Sequence, residues 1–314
     1  MIVITGAAGF IGSRMVQHLN ESGRDDLVLV DDFSLTDRSG NWEGTRYKEK
    51  VPRDFFFDWA AQNIAHVDFI LHFGVETAGM QTDAALMWEY NLEFSQRLWS
   101  LAAMNRIPLL YASASADARW RLTGQEWTSG GNCSGALCES QKRQFDLWVL
   151  KQRLTPPLWA GFAMPEVYGL NESHLGDEAS SVFQLFRQWQ QEGCMLIPVY
   201  DNSENSDREP VIDRIFVKDV VTVFTWFMNH LPASGFYYLG TGYPRPLSAV
   251  AKAIFSALKL SPQVEYQVIS SAETHLPQEK NPLSLNRINR IGYKKNFTPL
   301  EKGVRLYVKN ILNE

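Results

Sequence analysis

The N-terminal segment constrains the fold more than any other part of this chain. A short apolar run over residues 2–5 leads into a glycine-rich turn with the spacing GxxGxxG. The glycines are Gly6, Gly9 and Gly12. A helical pattern follows to about Asn20, and a second apolar run over residues 27–30 ends in Asp31 and Asp32. This order predicts a βαβ unit of about 30 residues with parallel strands and a right-handed crossover.

The three glycines have separate physical roles. The first permits a tight turn, the second lets the backbone approach a pyrophosphate, and the third lets the helix pack on the strand. An acid about 20 residues further on distinguishes a dinucleotide-binding turn from a glycine-rich connection without a ligand. Asp31 favours NAD because it can bind a ribose 2′-hydroxyl, whereas Arg38 favours NADP because it can accept a 2′-phosphate. We therefore predict NADP or NAD, although a solvated Arg38 fits the sequence equally well.

The alternation of strands and helices continues to about residue 164. Apolar runs and helical spacing predict five further elements: strand 67–73, helix 84–104, strand 108–112, helix 134–153 and strand 158–164. This rhythm predicts an α/β fold, a Rossmann-type doubly wound parallel sheet.

The rhythm weakens after residue 164. The later pattern predicts helices over 181–192 and 248–258 and strands over 215–217 and 236–239. We expect a dinucleotide-binding domain over residues 1–165 plus about 211–245. A smaller C-terminal mixed α/β substrate lobe would comprise about 166–210 plus 246–314, with the ligand site in the cleft between the two.

Composition and charge exclude several classes of protein. The chain has 314 residues with a hydrophobic share of 45%, so it can bury a core and is not disordered. Its net charge of −5 argues against nucleic acid as a partner. No apolar run is long enough to span a membrane, and the first residues do not resemble a secretory leader, so we expect a cytoplasmic protein.

The cysteines and histidines show no metal or disulfide pattern. Cys133, Cys138 and Cys194 are odd in number and include no CxxC pair. The six histidines have no HxxxH or HxH spacing, and no GxSxG elbow is present. A metal site and a serine hydrolase are therefore not expected.

The segment Thr5–Ser13 resembles the opening of the extended short-chain dehydrogenase/reductase family, the nucleotide-sugar epimerases and dehydratases. Within that family the chain is most similar to the ADP-heptose 6-epimerases. The supporting segments run in the same order along nearly the whole chain: residues 29–32, 69–74, 90–91, 110–113, 161–162, 167–169, 203–205, 216–220, 239–242 and 285–293. The resemblance implies hydride removal and return at a sugar carbon, and a homo-oligomer formed through helices that flank the sheet.

The resemblance also implies two sets of binding residues. The cofactor would be held by Gly6, Gly9, Phe10, Ile11, Gly12, Asp31, Asp32, Arg38, Arg53, Phe73, Gly74, Val75, Asn91, Lys142 and Val167. A nucleotide sugar of the ADP-heptose type would contact Glu166, Asp177, Gln184, Tyr200, Ser203 and Arg214. Ser203 and Arg214 would face its phosphates, with Arg208 a rival for Arg214.

The chain departs from the family at its catalytic positions. The family's acid/base is a tyrosine four residues before a lysine, and here the lysine is Lys142 but the tyrosine position is Cys138. The serine position that assists the tyrosine falls on Ala114, flanked by Ser113 and Ser115. We take Lys142, Cys138, Ser113 and Ser115 as the candidate catalytic residues.

Other positions of the family pattern are also changed. A tyrosine falls on Ala118, a second lysine on Leu175, an asparagine on Glu166, and an aromatic or polar sugar contact on Pro277. Because the losses cluster at the catalytic positions and spare the nucleotide-binding ones, the pattern predicts an impaired or replaced acid/base.

Three functions remain open. The chain is an active epimerase or reductase in which Cys138, Glu139 or Asp117 replaces the tyrosine, a non-catalytic cofactor or sugar-nucleotide binding protein, or an assembly partner of an active epimerase. A thiol next to a lysine can shuttle a proton, but it is shorter than a phenol, so an apolar filler is the favoured interpretation of Cys138. Whether the chain is an enzyme is left open.

Overall fold

The computed structural model describes residues 1–74, 84–114, 120–123, 126–129, 137–201, 209, 211–270 and 286–312. Its strands, in chain order, are β1 (Ile2–Thr5), β2 (Leu27–Asp31), β3 (Glu49–Pro52), β4 (Phe69–His72), β5 (Leu109–Ala112), β6 (Trp120–Thr123), β7 (Glu126–Ser129), β8 (Trp159–Ala163), β9 (Glu166–Tyr168), β10 (Met195–Asp201), β11 (Val211–Ile212), β12 (Arg214–Phe216), β13 (Gly235–Tyr238), β14 (Arg245–Pro246) and β15 (Val264–Ser270).

The α-helices, in the same order, are α1 (Phe10–Glu21), α2 (Phe56–Asn63), α3 (Ala84–Met87), α4 (Phe94–Met104), α5 (Leu137–Val149), α6 (Ser181–Glu192), α7 (Val217–His230), α8 (Leu247–Leu258), α9 (Asn286–Arg290) and α10 (Leu300–Ile311). A π-helical turn, Trp88–Glu93, joins α3 to α4. Short 3₁₀ segments are Thr36–Asn41, Arg53–Phe55, Ile64–His66 and Ser173–Glu178.

A parallel sheet of seven strands forms the centre of the fold, in the order β13-β8-β5-β4-β1-β2-β3. The chain builds outward from β1 to β3, returns to β4 beside β1, and then builds in the other direction. In the register of this sheet Thr5 pairs with Val30 on one side and with His72 on the other. The carboxyl ends of β1, β2 and β4 therefore lie at one edge, where doubly wound sheets bind ligands.

Both faces of the sheet are buried, as parallel sheets require. Ile2 and Ile4 point to the face that packs against α1 and α7, whereas Val3 points to the face covered by α2, α4 and α5. This alternation follows from the two-residue period of a strand. Because each apolar residue of β1 is covered, the strand is rigid and holds the turn that follows it in place.

The C-terminal part adds a second apolar core. Helices α6, α8 and α10 enclose it, and Tyr168, from one of the segments that resemble the family, is fully buried there. Around it, β10 pairs in parallel with β15, β9 with β12, and β11 in antiparallel fashion with β14. Phe10 of α1 also packs into this core, so the glycine turn lies between the two parts. The exact division into domains stays a prediction.

The structure confirms the doubly wound parallel sheet and changes some element bounds. The predicted helix 84–104 contains the π-helical turn, and the predicted helix 134–153 ends at Val149, with residues 134–136 outside the described residues. Strand β3 and helices α2 and α7 were not predicted. In β3 only Val51 is buried, so an edge strand of this kind has no apolar run to mark it.

Candidate functional site at the carboxyl edge of the sheet

The turn after β1 requires glycine for two geometric reasons. Gly6 has φ +69°, which side chains rarely adopt, and a Cβ on it would lie 2.5 Å from the backbone nitrogen of Gly74. A Cβ on Gly12 would lie 2.0 Å from the carbonyl oxygen of Gly6. The turn, the start of α1 and the end of β4 are thus in direct backbone contact.

The N-terminus of α1 faces the same region. Gly9 is its N-cap, in an extended conformation, and no side chain caps the helix. A helix of 12 residues with an uncapped N-terminus attracts an anion through its backbone N–H groups and its dipole. Gly9 lines a cleft together with Gly6 and Gly74. The backbone of this region fits a pyrophosphate.

Asp31, at the end of β2, accepts backbone hydrogen bonds on both carboxylate oxygens, and one of them comes from the glycine turn. Oδ2 accepts a hydrogen bond from the Ala8 N–H at 2.7 Å, and Oδ1 accepts one from the Asp32 N–H at 2.8 Å. Burial raises the pKa of Asp31, while these amides and nearby arginines oppose the increase. Each oxygen keeps a further lone pair toward the cleft that Asp31 lines, so a ribose hydroxyl can still bind.

Two arginines lie at this end of the cleft. Arg38 Nη1 is 3.9 Å from Asp31 Oδ1, and Arg38 Nε is buried without a hydrogen-bond partner among the described residues. The guanidinium of Arg53 stacks on the ring of Tyr90, 3.5 Å from its centroid. Arg38, Arg53 and Tyr90 line the cleft with Asp31. The buried Nε is a donor that an added phosphate oxygen would satisfy.

Asn91 lies in the π-helical turn, where it is buried. Its side-chain amide hydrogen-bonds to that of Gln141 on α5 at 2.8 Å. Short π-helical turns inside α-helices are frequent at functional sites because they redirect side chains. Gln141 directly precedes Lys142, so the predicted cofactor-binding residues Asn91 and Lys142 belong to neighbouring, connected elements.

Lys142 and Cys138 are one turn apart on α5. Lys142 is half-buried, whereas the side chain of Cys138 lies outside the described residues. The positive charge of Lys142 lowers the pKa of two buried groups, His72 and Asp146, as a minor cause in each. Burial, and to a smaller degree the Lys142 charge, lowers the pKa of His72 to about 3. The charge of Lys142 therefore acts on His72 at the end of β4.

Ser113 does not point its hydroxyl into the cleft. It donates to Asp146 Oδ2 at 2.6 Å, and the Tyr111 hydroxyl donates to Asp146 Oδ1 at 3.0 Å. Burial raises the pKa of Asp146 to about 7, although both hydrogen bonds oppose the increase. The sequence analysis missed Asp146. Its spacing of four residues from Lys142 places both on one face of α5, and this spacing is the signal by which the sequence could have indicated it.

Arg214, expected to face phosphates, is enclosed by the protein. Its Nε donates to Glu166 Oε1 and to Ser181 Oγ, both at 2.8 Å. Its Nη1 donates to the carbonyls of Ile212 and Arg245. The side chain is only 1% exposed. Because β9 and β12 place Glu166 directly opposite Arg214, the unexpected glutamate and this arginine form one ion pair.

The remaining candidate residues fall into three groups. Gln184 is exposed and lines a surface groove with Ser181, Gln188 and Leu247. Phe73 lines the cofactor cleft, and Val167 is half-buried between the two cores. Several candidates lie outside the described residues, in whole or by their side chains: Val75, Ser115, Asp117, Ala118, Glu139, Asp177, Tyr200, Ser203, Arg208 and Pro277.

Comparisons with known proteins agree with this geometry. The model of the NAD dependent epimerase/dehydratase family matches residues 2–240. The chain belongs to that family. The description of the family names NAD, which confirms the nicotinamide cofactor class that the glycine turn predicts. Among the described residues, no group of three metal-binding side chains is present and no helix is long and apolar enough to cross a membrane.

Individual relatives within the family are epimerases. The chain is 31% identical to an ADP-L-glycero-D-manno-heptose-6-epimerase of Nitratidesulfovibrio vulgaris, covering 99% of this chain and 98% of that protein. Among solved structures, the corresponding epimerase of Helicobacter pylori has a TM-score of 0.78 at 19% identity, covering 100% and 96%. The UDP-glucose 4-epimerase of Thermus thermophilus, solved with NAD, has a TM-score of 0.74 at 20% identity, covering 99% and 98%.

Proposed function

We propose that the chain binds NADP and a nucleotide sugar of the ADP-heptose type, as an epimerase-like protein whose tyrosine acid/base is replaced. One observation carries the proposal. Seven of the cofactor-binding candidates line one cleft at the carboxyl edge of the sheet, whereas the hydroxyl of Ser113, beside the family's serine position Ala114, is bound to buried Asp146: the seven are Gly6, Gly9, Asp31, Arg38, Arg53, Phe73 and Gly74. The binding machinery is kept and part of the acid/base machinery is not.

Two charges support NADP over NAD. Arg38 and Arg53 line the cleft beside Asp31, and the buried Nε of Arg38 has no hydrogen-bond partner within the described part of the chain. A 2′-phosphate placed there would accept hydrogen bonds from guanidinium groups, which hold phosphate oxygens in fixed geometry. Asp31 accepts one backbone N–H on each oxygen, and its bond to Ala8 holds the glycine turn.

The chemistry would divide between cofactor and chain. When bound, the nicotinamide would take a hydride from a sugar carbon and return it. The chain must then hold the sugar and move a proton at the oxygen on that carbon. Lys142 would bind the nicotinamide ribose, and its positive charge would favour the thiolate of Cys138. A thiol is shorter than a phenol, so slow turnover at most is expected.

A second candidate function is binding without turnover. It is favoured by Ala114, a buried methyl group at the position where a hydroxyl assists the family's tyrosine. A protein of this kind would hold the cofactor and the nucleotide sugar and act through an active partner. Both functions share the cofactor site and differ only in turnover.

One experiment separates the two functions. Purified protein is incubated with ADP-heptose and NADP, and the two C6 epimers are separated by chromatography. Interconversion that is lost in Cys138→Ala and reduced in Cys138→Ser would support an enzyme that uses the thiol. No interconversion, with NADPH still bound in a fluorescence titration, would support the binding function. Failure to bind NADPH at all would contradict both.

The assembly and the compartment complete the proposal. Leu147, Leu150 and Leu154 expose apolar surface along the end of α5 and beyond it, with fractions of 41%, 41% and 59%. A second copy packed on this helix would cover them, which supports a homo-oligomer.

Cys194 is a free cysteine, as expected in a reducing cytoplasm.

A further inference from the structure

A chain of buried hydrogen bonds runs through His72 at the end of β4. The Thr5 hydroxyl lies 2.6 Å from His72 Nδ1, and His72 Nε2 lies 2.9 Å from the Ser95 hydroxyl. At one end, the Gly74 N–H reaches the Thr5 oxygen at 3.4 Å. At the other end, Ser95 donates to the carbonyl oxygen of Asn91 at 2.5 Å. Thr5, His72 and Ser95 are each at most 4% exposed.

The partners determine which imidazole nitrogen carries the hydrogen. Ser95 has a single hydroxyl hydrogen and gives it to the Asn91 carbonyl, so its oxygen must accept from His72 Nε2–H. His72 Nδ1 is then an acceptor, and it takes the hydroxyl hydrogen of Thr5. The Thr5 oxygen is left to accept the Gly74 N–H. Each group in the chain therefore donates to the next one, from the Gly74 N–H to the Asn91 carbonyl, and the imidazole ring is neutral.

The two ends of this chain belong to different parts of the cofactor cleft. Gly74 touches Gly6 and lines the cleft beside the glycine turn. Asn91 lies in the π-helical turn and hydrogen-bonds to Gln141, the neighbour of Lys142. The imidazole is the one side chain that joins Thr5 directly to Ser95 among the described hydrogen bonds.

We propose that His72 is a positioning residue that sets the glycine turn and the Asn91–Lys142 side of the cleft at a fixed separation. The inference rests on the proposed cofactor binding and deepens it. His72 is buried behind the cleft surface and does not act as an acid or base. Its role is to let one bound dinucleotide meet both ends at once. Losing it should weaken binding of the whole dinucleotide more than binding of its adenosine half.

The hydrogen position can be measured without any variant. Histidine labelled with ¹⁵N in the full chain reports the tautomer through the shifts and couplings of both ring nitrogens. We expect His72 to be neutral with hydrogen on Nε2 at every pH from 8 to 5. An Nδ1–H tautomer, or a protonated ring at pH 6, would break the chain of donors and overturn the inference.

Variants then test the positioning role with two probes, NADPH and 2′,5′-ADP. His72→Gln can keep a donor toward Ser95 and His72→Asn an acceptor toward Thr5, while His72→Leu keeps neither. We expect His72→Leu to weaken NADPH binding by about tenfold or more, with 2′,5′-ADP changed by less than about twofold. The NADPH affinity of His72→Gln or His72→Asn is expected to lie between those of His72→Leu and the wild type. Ser95→Ala removes the contacts to His72 and to the Asn91 carbonyl but keeps the Thr5–His72 contact, and it is expected to show the same split to a smaller degree.

The outcomes separate this inference from the proposed function. If the wild type binds NADPH but the variants lose both probes equally, or lose neither, His72 is structural only and the inference is wrong. Should His72→Leu fail to fold, Ser95→Ala and the wild-type tautomer still decide. If the folded wild type binds no NADPH, the proposed function fails and the positioning role fails with it.

Discussion

Ser113 donates its hydroxyl hydrogen to Asp146 over 2.6 Å, and both side chains are buried. Tyr111 binds the other oxygen of the same carboxylate, and the Ala114 N–H adds a third donor. This cluster joins the carboxyl end of β5 to α5, one turn beyond Lys142. The hydroxyl next to Ala114 therefore stabilises the junction between strand and helix.

The first prediction concerns the pH dependence of stability. Burial raises the pKa of Asp146 to about 7, above its unfolded value, so the unfolded chain ionises first as pH rises. Asp146 therefore removes stability between about pH 4 and pH 7, and the loss is complete above pH 7. The unfolding free energy of Asp146→Asn relative to wild type should therefore rise by about 2–3 kcal/mol from pH 5 to pH 8. Urea unfolding at both pH values measures this difference, with exposed Asp58→Asn as control. A difference that is the same at both pH values would refute the prediction.

The second prediction restores the family's acid/base. The double variant Cys138→Tyr with Ala114→Ser should raise the rate of C6 interconversion of ADP-heptose by about 10²-fold or more, because a positioned proton donor contributes that much. The matched control is Cys138→Phe with Ala114→Ser, which adds the ring without its hydroxyl. Equal rates in the two double variants, with NADPH bound to both, would show that the sugar pocket has diverged as well.

The third prediction tests the choice of cofactor. Arg38→Ala should weaken NADPH binding by about 10- to 100-fold and leave NADH binding nearly unchanged, because only NADPH carries the 2′-phosphate. Fluorescence titration with each reduced cofactor measures both affinities. Arg24→Ala, at an exposed arginine outside the cleft, is the control. Parallel losses for both cofactors would assign Arg38 to the fold instead of the phosphate.

The fourth prediction concerns the ion pair of Arg214 and Glu166. Arg214→Met leaves the Glu166 carboxylate without its partner in a largely buried site, so we expect a loss of about 2–4 kcal/mol in unfolding free energy. Adding Glu166→Leu should recover much of it. The exposed pair Arg245–Glu301 has the same 2.8 Å separation, and Arg245→Met should cost less than about 1 kcal/mol. Similar losses from the two arginine variants would contradict the importance of burial.

The fifth prediction addresses assembly. Leu147→Glu with Leu150→Glu should shift the protein to a smaller species in analytical ultracentrifugation, because charges replace exposed apolar side chains at the end of α5 and just beyond it. Leu231→Glu places the same charge at another exposed leucine and should not change the mass. A wild type that is already monomeric would refute the oligomer.

The sequence was most informative where neighbouring residues act together. Gly6, Gly9 and Gly12 are close in the chain, and their spacing correctly predicted the strand, the turn and the helix that follow. The period of apolar residues likewise predicted β4, β5, β8, α6 and α8 to within a few residues. Strand β3 was not predicted because it lies at the sheet edge with a single buried residue, so its sequence contains no apolar run.

The arrangement of the site's polar groups depended on the tertiary structure. Thr5 meets His72 across 67 residues, and Ser113 meets Asp146 across 33. The sequence predicted that Arg214 faces a phosphate, which stays a prediction, and the pairing of β9 with β12 adds the contact with Glu166 that the sequence did not indicate. The chain by itself determined the fold family and the cofactor class, because both follow from local spacing and periodicity. Only the folded structure decided which polar groups face the cleft, because hydrogen-bond partners far apart in the chain compete for the same side chains.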